Sequence, residues 1–357
     1  MMQISPETQL FIREHSSDDV RVLALQAKKY PDIDMPTAIT QIAGRKVAAE
    51  KIPSWWEIEK IWYPKHLSLE QCSSEITARY KARLLQGDSL TDLTGGFGID
   101  CSFLATGFKS ATYVERQEEL CEIAAHNFPI LNLNHINIKN EDGVTYLQAM
   151  SPVDCLFLDP ARRNEHGGKT VAISDCEPNV AELEELLLQK ANRVMIKLSP
   201  MLDLSLALKE LKQTQEVHIL SVNNECKELL ILLGQTSPAE ISIHCVNLFT
   251  KGTQKEQHFV FTREQEQCSE CTYTDSLETY LYEPNASLLK AGAFRSIAAA
   301  YPVRKLHPNS HLYTSDTFIE NFPGRIFRIV NQCSFNKKEV KENLADLKKA
   351  NVTVRNF

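Results

Sequence analysis

The feature that most constrains this chain is a change of hydrophobic period at Ser89. Upstream, apolar residues recur every three or four positions, whereas from Ser89 short apolar strands alternate with amphipathic helices. The series runs SLTDLT, a helix near Ile99 to Thr106, ATYVE, a helix near Gln117 to Asn127, INIKN and VDCLFLDP. It continues with RVMIKLS at Arg193 to Ser199, a helix at Leu202 to Leu211, and VHILS. Strand, crossover and strand again imply a parallel sheet covered by helices on both faces, so the fold class is α/β. Lys227 to Leu233 and Ile241 to Leu248 read as two further strands forming an antiparallel edge pair, which closes a domain near residue 250.

The stretch before Ser89 reads as helical. Val20 to Tyr30, Pro36 to Lys51 and a single long helix at Leu69 to Leu85 carry the apolar stripe, and prolines at 31, 36 and 53 punctuate it. Pro53 to Pro64 holds all three tryptophans, Trp55, Trp56 and Trp62. Such aromatics can stack a base, but at helical spacing they more often pack helices together.

Chemistry is expected in the turns after the strands. Asp92-Leu93-Thr94-Gly95-Gly96-Phe97-Gly98-Ile99-Asp100 follows the first strand and opens a helix, and its glycines let the chain turn sharply and a ligand approach the backbone. The spacing is neither GxGxxG nor GxxxxGK[ST]. Asp92, at the end of its strand, is placed to receive the ammonium of an amino-acid moiety. Glu115 ends the second strand, where an acid in a Rossmann-type crevice grips ribose hydroxyls. Asn140-Glu141-Asp142-Gly143 follows the third strand, where a carboxylate can read an adenine amino group. Taken singly, each acid reads equally as a helix cap or a first-turn charge; three acids after three successive strands, beside a Gly-rich turn, form a more specific pattern.

DLTGGFGID, the acid after YV, the acid-Gly after the third strand and LDPAR after the fourth resemble the successive motifs of class I S-adenosylmethionine-dependent methyltransferases. The resemblance implies a Rossmann-like core with a mostly parallel seven-stranded sheet and S-adenosyl-L-methionine as cofactor. Asp92, Thr94, Gly95, Gly96 and Gly98 would then hold the methionine part, Glu115 the ribose and Asp142 the adenine. Asp159-Pro160-Ala161-Arg162 resembles the signatures of enzymes that methylate nucleic-acid bases, with Asp159, Pro160 and Arg162 as the expected catalytic group. Here Ala161 stands for the second proline and no aromatic follows, so Arg162 would have to stack the base through its guanidinium plane. Glu70 to Ala82 resembles the helix that closes over the cofactor in trimethylguanosine-synthase-like enzymes, which implies cofactor contacts from Gln71, Ser74 and Glu75; an ordinary helix packed on the sheet is the alternative.

Beyond the core, Tyr282 to Gly292 and Phe322 to Phe357 resemble the ferredoxin-like and THUMP-like modules of a bacterial methyltransferase family. The expected domains are a helical one at 1–70, the core at 71–250, a connector and ferredoxin-like module at 251–321, and a THUMP-like module at 322–357, expected to be incomplete because Val352 to Phe357 reads as a strand at its end. THUMP domains deliver RNA to a fused enzyme, so RNA is the implied partner and an exocyclic amine of a base the implied acceptor.

Charge is compatible with that partner. The chain carries a net charge of −7, yet from Leu288 onward 12 Lys and Arg stand against 5 Asp and Glu, a local excess of +7. Ten cysteines at scattered, largely apolar positions point to reduced thiols and a cytoplasmic setting. The Cys268/Cys271 pair lacks the second pair that a structural zinc site needs, so no metal is expected. No basic n-region with an apolar run opens the chain, and no membrane association is expected. Two alternatives stay open, namely a methyltransferase for a protein or small molecule, and an inactive RNA-binding protein built on the same scaffold.

Overall fold

A computed structural model of the chain describes residues 4–162, 172–236, 238–334, 336–345, 349 and 351. The first third is helical: α1 (Pro6–Glu14), α2 (Val20–Leu25), α3 (Met35–Lys51), α4 (Pro53–Trp56), α5 (His66–Gln71) and α6 (Glu75–Ala82). Asp34 caps α3 by accepting from Thr37 N, with Pro36 in the first turn, where its missing N–H costs nothing. The single helix expected over Leu69 to Leu85 is instead two, broken at Cys72–Ser74. Ser73 directs its hydroxyl to Asp100 Oδ2 at 2.7 Å, and that side-chain bond competes with continuation of the helix.

The alternating series forms β1 (Ser89–Asp92), α7 (Ile99–Ala105), β2 (Ser110–Glu115), α8 (Glu118–Ile130), β3 (Ile136–Asn140), α9 (Gly143–Ala149), β4 (Val153–Leu158), a short β5 (Ala161–Arg162) and β6 (Cys176–Glu177) pair, α10 (Val180–Lys190), β7 (Ala191–Leu198), α11 (Leu204–Glu210), β8 (Thr214–Val222), β9 (Glu225–Gly234), β10 (Ser242–Leu248) and β11 (Glu256–Phe261). The strand order is β11-β10-β8-β9-β7-β4-β1-β2-β3. Strands β1 to β4 and β7 are parallel, and β9 runs antiparallel to β7. The α/β Rossmann-like class is as expected, but the sheet carries nine strands, because β10 and β11 add to the seven that run from β3 to β8.

The expected edge pair is also different. β9 pairs with β7, and β10 lies parallel to β8. Asn223 and Asn224, both at positive φ, make a two-residue hairpin turn that folds β9 back beside β8, so β10 is left with the other edge of β8.

By its contacts the chain divides into Met1–Gln215 with Leu229–Pro238, and Glu216–Glu228 with Ala239–Phe357. In the first unit Trp55 is buried against Phe97 of the Gly-rich turn, with ring centroids 5.2 Å apart, in a cluster with Ile52, Tyr63, Leu69 and Ile123. Trp62 stacks on His126 at 3.7 Å, and Trp56 is exposed. Trp55 and Trp62 thus pack elements together; burying a ring of this size stabilises the fold by about 2–3 kcal/mol.

The second unit includes α12 (Arg263–Cys268), β12 (Tyr280–Pro284), α13 (Ala286–Ala291), α14 (Phe294–Ala300), β13 (Arg304–Lys305), β14 (Tyr313–Ser315), β15 (Gly324–Arg328) and α15 (Lys337–Asn343). β13 to β15 and β12 form an antiparallel sheet in the order β13-β14-β12-β15. Tyr282, Tyr313 and Phe322 fill its core. The terminal strand expected at 352–357 lies outside the described residues. No helix among the described residues is long and apolar enough to cross a membrane.

Candidate active site

In a parallel sheet the crevice opens at the carboxyl ends of the strands, where neighbouring crossovers diverge to opposite faces. Here that point lies between β1 and β4. Asp92 ends β1 and is buried; its Oδ1 accepts from Thr94 N at 2.9 Å, while Oδ2 has no hydrogen-bond partner among the described residues. Burial pushes Asp92 up to about 8, the Thr94 amide opposes the shift, and Asp100 and Asp159 add to it. An unpartnered carboxylate oxygen in this position is costly unless a cation completes it.

The turn that follows is held from both sides. Gly95 N donates to Val114 O at 2.8 Å, Gly98 N to Gly95 O at 2.9 Å, and Tyr113 Oη donates to Gly96 O. Gly96 and Gly98 sit at φ +54° and +86°, backbone that glycine adopts without strain. A Cβ at Gly95 would stand 2.3 Å from the Tyr113 ring. Gly95→Ala is therefore expected to destabilise the protein by about 1–3 kcal/mol through overpacking, read as a lower midpoint in urea; an unchanged midpoint would contradict this packing.

Glu115 faces the same turn, its Oε2 accepting from Gly96 N at 2.9 Å and its Oε1 from Gln117 N at 2.8 Å. Asp142 caps α9, with Oδ1 accepting from Val144 N and Thr145 N, each at 3.0 Å, so the helix-cap reading holds for one of its oxygens. Thr94 ties the β1 turn to the β4 turn by accepting from Asp159 N at 2.6 Å. Pro160 is buried and Arg162 lies in β5; the Arg162 side chain is outside what is described. Gln71 ends α5 and is exposed, and Ser74 stands before α6 with its hydroxyl 3.2 Å from that of Thr77.

Behind Asp92 and Asp159 lies a charged cluster that the sequence reading did not contain. Lys197, near the end of β7, places Nζ 2.6 Å from Asp159 Oδ2 and 3.1 Å from Asp100 Oδ2. Lys81 of α6 lies 3.0 Å from Asp100 Oδ1. Both ammonium groups donate to Ser73 Oγ, at 3.0 and 2.9 Å. Burial alone would raise Asp100, yet Lys197 and Lys81 hold it well below the usual carboxylate range. The sequence hint was the lysine inside the apolar run VMIKL, whereas Lys81 in ARYKA stands two residues from an arginine and carries no such sign.

A putative methyltransferase from Porphyromonas gingivalis W83 superposes along the whole chain, covering 100% of it and 90% of that protein, at 34% identity and a TM-score of 0.86. The chain belongs to this methyltransferase family. Residues 280–323, from β12 to just before β15, match a family of ferredoxin-like domains, as expected for that module. Two other structures overlap parts of the chain at 14% identity and a TM-score of 0.33. One is an rRNA methylase from Streptococcus thermophilus, with 44% of this chain and 93% of that one covered; the other is a putative methyltransferase from Streptococcus mutans in complex with SAH, with 45% and 96% covered. No curated protein matches the chain. In this family member the crevice brings together the buried Asp92, a glycine turn at positive φ and the Asp159 carboxylate paired with Lys197.

Proposed function

We propose that the chain is an S-adenosylmethionine-dependent methyltransferase that acts on an RNA base, at an exocyclic amine. The observation that carries the cofactor assignment is the buried Asp92 Oδ2, which lacks a partner among the described residues, beside a glycine turn at the end of β1. Asp92 would receive the cofactor's ammonium, Thr94, Gly95, Gly96 and Gly98 its methionine part, Glu115 its ribose and Asp142 its adenine, through the oxygen that does not cap α9. Gln71 and Ser74 would approach it from the segment around α6, in the manner of the closing helix of trimethylguanosine-synthase-like enzymes. The cofactor supplies a methyl group already activated on a sulfonium, so the protein's contribution is proximity and orientation.

Asp159 would orient the acceptor amine, with Pro160 shaping the turn and Arg162 stacking on the base. Lys197 keeps the Asp159 carboxylate in one place at 2.6 Å. A general base is dispensable for an exocyclic amine, whose proton can leave after attack. RNA would be delivered by the basic region from Leu288 onward, including a THUMP-like module.

One observation favours a second reading, in which the acceptor is a protein or a small molecule. Several of those basic groups are committed within the chain: Arg304 pairs with Glu278, Arg325 with Glu283, and Lys305 donates to His307 O and Pro308 O. Calorimetry with S-adenosylmethionine tests the shared step. The wild type is expected to bind, and Glu115→Ala to bind about 10–100-fold more weakly through loss of charge-assisted hydrogen bonds. Absence of wild-type binding would sink the assignment, and methyl transfer to unmodified RNA then separates the two acceptors.

A further inference from the structure

Three adjacent strands of the second unit each bring imidazole to one face of the sheet. Glu216 and His218 are two apart on β8 and so point the same way. In the parallel register His218 lies opposite His244 of β10, and His258 of β11 lies opposite Val246, two residues beyond His244 on the same face. The side chains meet. His218 Nε2 is 3.2 Å from Glu216 Oε2, His244 Nδ1 is 3.1 Å from His258 Nε2, and the rings of His218 and His244 are 4.3 Å apart. One ligand atom from each of Glu216, His218 and His244 falls within 4.8 Å of the others.

From this geometry we propose that Glu216, His218, His244 and His258 form a zinc site that clips β8, β10 and β11 together. Zinc bonds of about 2.0–2.1 Å in a tetrahedron place the ligand atoms about 3.3–3.4 Å from one another, close to both short pairs observed here. Three imidazoles with one carboxylate suit zinc-class ions rather than calcium or magnesium, which prefer oxygen. Rotation of the His244 ring about its side-chain torsions would turn its stacked pair with His218 into two converging lone pairs. Four protein ligands leave no open position, so the site is structural. His218 is buried while His258 reaches solvent, which gives the ion a path of entry. The proposal is independent of the methyl-transfer reading.

The test uses the untagged full chain, stripped with chelator and titrated with zinc chloride in a calorimeter. One equivalent is expected to bind and to raise the thermal midpoint. Changes around a metal's ligands alone commonly cost about 10–100-fold in affinity, so loss of a ligand in His218→Ala or His244→Gln is expected to weaken binding by about 100-fold or more. In chelator, His244→Gln on the sheet face should melt like the wild type, which separates loss of the ion from loss of the fold. Cys268→Ser with Cys271→Ser should bind zinc normally. No stoichiometric binding, or binding that survives His218→Ala and His244→Gln, would overturn the site.

Discussion

Asp92→Asn is expected to lower the affinity for S-adenosylmethionine by about 100-fold or more, because removing one member of a buried charge pair costs about 3–5 kcal/mol. The pH dependence carries the stronger signature. With Asp92 pushed up to about 8 by burial, the unliganded protein holds this carboxyl protonated at neutral pH, and binding an ammonium must expel that proton. Affinity should therefore rise about tenfold per pH unit from 6 toward 7, pass through a maximum near 8, and fall above it as the ligand's own α-amino group, near 8, loses its charge. Calorimetry in buffers of different ionisation enthalpy should detect release of about one proton at pH 7 in the wild type and none in Asp92→Asn. A flat pH profile in the wild type would mean that Asp92 does not face the ligand. The same shift acts on stability in the opposite direction to an ordinary paired acid. The folded state holds a proton that the unfolded state releases above about 3.9, so this group lowers stability as pH rises from there toward 8, and Asp92→Asn removes that slope.

Lys81→Met is expected to destabilise the protein by about 3–5 kcal/mol at pH 7, since it leaves Asp100 buried with half of its compensating charge. Asp100 is a lowered carboxyl, so the sign is the usual one. Its pairing contributes stability above the ordinary carboxylate range and loses it as pH falls through the lowered value. The deficit of Lys81→Met in urea denaturation should be largest at neutral pH and shrink in strong acid. Adding Asp100→Leu to Lys81→Met should recover a substantial part of it, because the orphaned charge is then gone. Equal stability of Lys81→Met and wild type at pH 7 would show that water, rather than lysine, satisfies Asp100.

Much of the candidate site was legible because its residues stand at consecutive strand ends. A period of two followed by a turn fixes where a strand stops, and glycine and acid residues at that stop can be read one after another, as with Asp92, Gly95 to Gly98, Glu115 and Asp159. Asp142 shows the boundary of that approach. A residue before a helix is both a cap and a ligand candidate, and the structure assigns one oxygen to the cap. The break between α5 and α6 was not legible, since Glu70 to Ala82 has unbroken helical spacing and the partner of Ser73 lies in α7.

The sequence by itself determined the alternation of strand and helix, the position of the glycine turn and the carboxylates at successive strand ends, because these follow from local periodicity and backbone sterics. Only the tertiary structure decided which distant charges meet. Lys197 and Ser73 are 124 positions apart and touch because β7 stands next to β4 in the sheet and α6 packs on α7. Likewise His218, His244 and His258 come together only through the pairing of β8 with β10, and of β10 with β11, which sets their register. Strand order and register are settled by the burial of whole faces across the sheet, a sum over many residues that no local window of sequence contains.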